Sequence, residues 1–105
     1  MSMFRRRYTI SIDTNASQGD RDSFRQEMAN GCDNNGLRGY FIVDEGSAWI
    51  HLEGEETDID KFARVIANSP VTTGQLSVES NVSISAFEAH GIYTYDQAED
   101  PIVPD

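Results

Sequence analysis

Apolar and polar residues alternate strictly from Tyr8 to Asp13, with Tyr8, Ile10 and Ile12 on one face and Thr9 and Ser11 on the other. A period of two over this length predicts a strand buried on one side. The polar stretch 15–19 predicts a loop. Over 20–30 the period lengthens: Phe24 and Met28 stand a helical turn apart, Asp20 and Asp22 suit the positive end of a helix dipole, and Gly31 follows as a stop. Residues 40–43 and 48–52 are apolar runs of strand type, joined by the turn Asp44-Glu45-Gly46-Ser47. Strands joined this tightly are antiparallel neighbours. Ile59, Phe62, Ala63 and Ile66 make an i, i+3, i+4, i+7 stripe, which predicts a core-facing helix capped by Thr57, with Asp60 as its capping-box partner. Pro70 disfavours helix at the residue before it and ends this element. Leu76, Val78 and Val82 predict a fourth strand, and 92–95 a short strand at an edge.

This order of elements predicts an α+β fold with a ferredoxin-like β-α-β-β-α-β core, a sandwich of one antiparallel sheet and two helices on one of its faces. The other face is left open. The 105 residues suffice for a single domain, placed over 1–95. Residues 96–105 hold four acidic residues and two prolines and predict an acidic flexible tail.

Charge changes the picture more than size does. Eighteen acidic residues against 8 basic ones give a formal net charge of -10. Such a field repels a phosphate backbone, so direct nucleic-acid binding is not expected. The densest acidic segment is Glu53, Glu55, Glu56, Asp58 and Asp60; the arginines gather at Arg5-Arg6-Arg7 and at Arg21, Arg25 and Arg38. No apolar run approaches the roughly 20 residues of a membrane span, and the basic start lacks the apolar block of a signal peptide. Cys32 is the single cysteine, which excludes an internal disulfide and a thiolate zinc site. His51 and His90 with scattered carboxylates give no metal-ligand spacing. The expectation is a cytoplasmic protein with no membrane contact, no metal and no cofactor.

From the first loop to Pro70 the chain resembles acylphosphatases, enzymes of this same fold. The matching residues are Gln18-Gly19, Phe24-Arg25, Gly36-Leu37-Arg38-Gly39-Tyr40, Glu53-Gly54, Phe62 and Ser69-Pro70. The resemblance implies a loop of backbone N–H groups that cradles a phosphate with Arg25, for hydrolysis of a carboxyl-phosphate bond. In this chain Asp20-Arg21-Asp22-Ser23 lengthens that loop, and the family's water-orienting asparagine falls near Val43 or Asp44. A second resemblance, to the blue-light-sensing flavin (BLUF) domains, rests on Gly39, Gly46, Leu52-Glu53-Gly54 and Pro70. It implies a flavin-binding sensor. The family's flavin-contacting glutamine falls at Ile50, and its first-strand tyrosine near Tyr8.

Weighed together, the charge and the missing catalytic residues predict a non-enzymatic interaction domain. Its expected surface is Asp44, Glu45, Trp49, His51, Glu53, Glu55, Glu56 and Asp58, with Tyr40 beside the aromatic part. The partner would be a protein with a basic surface or a second copy in a homodimer. One version is an inhibitor that mimics nucleic acid, in the manner of small acidic phage proteins. The alternatives are an acylphosphatase-like hydrolase and a BLUF-like flavin sensor.

Overall fold

The structure, a computed structural model, describes residues 3–44 and 46–96. Glu45 and the predicted tail from 97 onward lie outside them. The first strand, β1 (Met3–Ile12), takes in the basic triplet ahead of the predicted alternation. Strand geometry points Arg5 and Arg7 to one face and Arg6 to the other, so the three do not form one cluster. Helix α1 (Gln18–Asn34) starts where a loop was expected. Ser17 is its cap: the Ser17 hydroxyl accepts from the Asp20 N–H at 3.1 Å, and the Asp20 carboxylate accepts from the Ser17 N–H at 3.0 Å. This reciprocal capping box satisfies two otherwise orphaned donors and recruits Gln18-Gly19 into the first turn.

The helix also runs through Gly31, which is a packing residue and not a stop. A Cβ on Gly31 would stand 2.3 Å from Cε1 of Phe62 on the second helix. Strands β2 (Arg38–Val43) and β3 (Ser47–Glu55) form the predicted hairpin. Helix α2 (Glu56–Ala67) follows β3 directly, with Glu55 at its cap position and no side-chain cap bond. Thr57 is therefore inside the helix, and Asp60 turns away to pair with Arg6. Then come β4 (Thr72–Ile84) and β5 (Ile92–Asp96), the latter one residue longer than its apolar alternation.

The sheet order is β4-β1-β3-β2-β5. β1 is antiparallel to β3 and β4, and β2 to β3, which is the α+β ferredoxin-like arrangement. β5 departs from the wholly antiparallel sheet that was expected, because it pairs parallel to β2. The reason is topological. β4 ends beside Met3, at the end of the sheet where β2 begins, so a chain returning from there runs alongside β2 in the same direction.

Tyr8, Ile10 and Ile12 of β1, Phe41 and Val43 of β2, and Ala48, Ile50 and Leu52 of β3 face both helices across one continuous core. Phe24, Met28 and Cys32 close it from α1, and Ile59, Phe62 and Ile66 from α2. Phe62 sets its ring edge-to-face on Phe41, with centroids 6.4 Å apart. Two glycines fix the sheet end. Gly39 has φ 151°, and a Cβ there would lie 1.8 Å from the His51 carbonyl oxygen; Gly54 has φ 153°, and a Cβ there would lie 2.5 Å from Leu37 Cδ2.

Gly31 offers a test with opposed terms. Alanine is the better helix former by about 1 kcal/mol, whereas overpacking a closed core costs about 1–3 kcal/mol. Because Phe62 is 1% exposed and held by Phe41, the clash wins. Gly31→Ala is expected to destabilise in chemical denaturation, with much of the loss recovered in a Phe62→Leu background. A stabilised Gly31→Ala would show that the helices do not pack this closely.

Candidate functional site

On the face away from the helices, side chains line up in rows across the strands. Arg5, Glu53 and Arg38 are cross-strand neighbours, with Val82 beyond Arg5. The next row is Arg7, His51 and Tyr40, and the one after is Thr9, Trp49 and Ile42. The strap 85–91, which carries the chain from β4 to β5, lies over the first row. Glu88 pairs with Arg5. Phe87 sits under the Arg38 guanidinium, 4.3 Å from its ring centroid. The strap is held most firmly by Glu53, whose Oε1 accepts from the backbone N–H of Glu88 at 2.7 Å and of Ala89 at 2.9 Å.

Glu53 is 1% exposed and His51 5%. Their side chains meet at 2.6 Å between Oε2 and Nε2. Burial pushes the Glu53 carboxyl up, but the Ala89 N–H, the His51 ring and the Glu88 N–H outweigh it and hold the carboxyl below its ordinary value. The other ring nitrogen, His51 Nδ1, receives the Arg7 Nε–H at 3.2 Å. An arginine only donates, so Nδ1 carries the lone pair and the network assigns the His51 proton to Nε2, donated to the carboxylate. Tyr40 stacks on the imidazole with centroids 4.6 Å apart.

The predicted acidic surface is not assembled. Asp44 lies at the turn end of the hairpin and Glu55 at the far end of β3, roughly 30 Å apart for a strand of this length. His51 and Glu53, expected as exposed contacts, are buried beneath Tyr40 and the strap. Glu56 pairs with Arg6, while Asp58 stays in the first turn of α2, where a carboxylate suits the dipole. Trp49 is exposed at 43% on the open face, as its strand position predicted.

Nor does the phosphate cradle of the acylphosphatase resemblance form. The residues meant to wrap an anion are the first turn of α1, and Arg25 pairs with Asp22 one turn earlier on the same helix. Val43 is fully buried in the core, and the Asp44 N–H is bonded to the Ser47 carbonyl. Among the described residues no group of three or more His, Cys, Asp or Glu is placed to hold a metal, and no helix is long and apolar enough to cross a membrane.

A flavin in the BLUF manner would need the region around Tyr8 and Ile50. These two are direct cross-strand partners, and both face the helices in the closed core. Ile50 has no amide to bond a ring. The Tyr8 hydroxyl already accepts from Arg6 at 3.0 Å. Arg6 is itself 8% exposed and is held by Asn81, Glu56 and Asp60. Above them, Phe24, Met28 and Phe62 are at most 1% exposed, and even a methyl group does not fit between Gly31 and Phe62. The residues present do not fit the cofactor.

No protein-family model matches the chain, and no curated protein sequence does. Its shape, however, matches solved structures closely. BlrB, a BLUF protein in its dark state, superposes with a TM-score of 0.81 at 13% identity, over 93% of this chain and 75% of that one. A bacterial light-regulated adenylyl cyclase gives 0.78 at 16% identity, over 96% of this chain and 30% of that one. BlrP1 of Klebsiella pneumoniae gives 0.76 at 14% identity, over 91% of this chain and 25% of that one. The likeness establishes the fold of the BLUF neighbours, and the chain spans less than a third of the last two. Three residues that both resemblances share make interlocking fold contacts: Gly39 against His51, Gly54 against Leu37, and Glu53 against the strap.

The strap tie predicts a pH dependence. A carboxyl lowered by folding adds stability that is fully present above its ordinary value of 4.5 and is lost as pH falls through the lowered value. Glu53→Gln is expected to cost about 1–3 kcal/mol at neutral pH and to flatten the acid limb of the stability curve. Amide exchange at Glu88 and Ala89 should quicken in the variant before exchange in the core. An unchanged acid limb would mean that the strap does not depend on this carboxylate.

Proposed function

We propose that the chain is a regulatory module of the BLUF fold that works by protein contact and without flavin photochemistry. The observation that carries this reading is the pairing of a sensor-domain shape with a sealed core at Ile50 and Tyr8. In the neighbours, a domain of this shape is part of a light-regulated adenylyl cyclase and of BlrP1. That modular use supports a role in which a small domain passes a state to an effector. The relay from Arg7 through His51 and Glu53 to the strap supports it further, because it links the open face to the segment that leads into β5, the edge strand of the sheet among the described residues. The net charge of -10 favours a partner with a basic surface. Inhibition by nucleic-acid mimicry is a narrower form of this reading, and the separation of Asp44 from Glu55 weakens it.

A flavin sensor with altered photochemistry is the second reading, favoured by the similarity of shape. The two separate on purification from cells supplied with riboflavin. The expected protein is colourless, releases no flavin on denaturation, and shows no rise in Tm with added FMN or FAD. Ile50→Gln alone should not restore binding, since the ring space is filled by Phe24, Met28 and Phe62. One flavin per chain in the wild type would overturn the first reading in favour of the second.

A further inference from the structure

The open face holds a groove of about 240 Å³, walled by the aromatic and aliphatic side chains of Tyr40, Ile42 and Trp49. At its β1 edge stands Arg7. Among the described residues the Arg7 terminal nitrogens meet no carboxylate, although acidic residues outnumber basic ones 18 to 8 in the chain. Only Arg7 Nε is engaged, by His51 Nδ1. That bond is the end of a fixed series. The strap amides and the His51 N–H hold Glu53; Glu53 sets the imidazole tautomer; the free lone pair of Nδ1 then fixes the plane of the guanidinium. The two terminal nitrogens, beyond the engaged Nε, belong to a side chain that lines the groove together with Tyr40, Ile42 and Trp49. Two buried polar side chains on a strand have a cost unless they are fully bonded, and here their bonding orients a cation on the surface.

From this we infer that the groove is a binding site for a small aromatic carboxylate, which Arg7 grips through both terminal nitrogens while the ring lies against Trp49. Bidentate geometry selects a carboxylate over a point anion, and the apolar walls select a ring. Glu79 also lines the groove, its carboxylate accepting from the Thr9 hydroxyl at 2.9 Å. A carboxylate lining the same groove penalises added negative charge, more for a dianion such as inorganic phosphate than for a monoanion. The groove is smaller than the pockets of drug-sized ligands, which begin near roughly 300 Å³, so the ligand is a single substituted ring. His51 and Glu53 are positioning residues. The site goes beyond the regulatory reading and does not require it; binding is measured with no partner present.

Trp49 is the single tryptophan of the chain, so its fluorescence reports the groove directly. The full chain is titrated with benzoate, with benzyl alcohol as the uncharged ring, with acetate as the carboxylate without a ring, and with inorganic phosphate. Saturable change with benzoate alone is expected, with a Kd in about the millimolar range for so small a ligand. Arg7→Gln should weaken it by about tenfold or more, and Arg7→Lys nearly as much. His51→Phe retains a ring to stack on Tyr40 but removes the acceptor for Arg7; it should weaken benzoate several-fold while the apolar walls of the groove stay in place. Circular dichroism of each variant checks that it is folded, and benzoate-induced shifts of the Arg7 Nε–H resonance give a second readout. No saturable response to benzoate, an equal response to benzyl alcohol or to phosphate, or full affinity in folded Arg7→Gln would each overturn the assignment.

Discussion

A buried carboxylate that accepts two backbone N–H groups and an imidazole N–H sits near one end of the central strand β3, beneath the strap. Glu53 satisfies the Glu88 and Ala89 amides of the strap, and this contact lets the chain cross from the β4 edge to the β2 edge without leaving buried donors unpaired. β5 then adds alongside β2. The same carboxylate fixes the His51 proton and, through it, the orientation of Arg7. A single side chain thus joins the topology of the sheet, the burial of a polar pair and the presentation of a surface cation. A carboxylate with this many donors is stabilising only in its ionised form, which is why folding lowers its pKa although burial opposes the charge.

The two faces of the sheet have been put to opposite uses. The helix-covered face is closed to the limit of packing, with Phe62 against Gly31 and Phe41, and with Arg6 bonded to the Tyr8 hydroxyl. The open face carries the polar relay, the exposed Trp49 and the groove. The core around Ile50 is therefore filled on one side of the sheet while polar side chains are ordered on the other. The close approaches at Gly39 and Gly54 tie the hairpin to the segment that follows α1: Gly39 leaves room only for the His51 carbonyl, and Gly54 only for the core side chain of Leu37.

This accounts for Gly39 and Gly54, which both resemblances share. Gly36-Leu37-x-Gly39 and Leu52-Glu53-Gly54 are the two halves of one contact, since Gly54 has room only for Leu37 and Gly39 only for the His51 carbonyl. Motifs of this kind read as a family signature, yet they report how a hairpin and a helix end fit together. The residues that would carry chemistry in either family are absent or turned elsewhere: Ile50 faces the core, and Arg25 is spent on Asp22.

The alternation at Tyr8–Ile12, the hairpin turn and the helical stripe through Ile59, Phe62 and Ile66 were legible in the sequence, and with them the α+β ferredoxin-like order. Such patterns are local, because the side chains that share a face are set by the period of the backbone itself. The capping box at Ser17 was legible too, and reading it would have moved the start of α1 to Gln18. β4 was only partly legible, since most of its residues are solvent-exposed on both faces and leave no period to read. The burial of His51 and Glu53 was not legible at all. It depends on a strap 35 and 36 residues further along the chain folding back over them. Likewise, the groups that bury Arg6 are remote in the chain: Glu56 and Asp60 of α2, and Asn81 of the neighbouring strand β4. The sequence determined which residues share a face; only the tertiary structure decided which faces are covered, because covering one needs a segment that no local period connects to it.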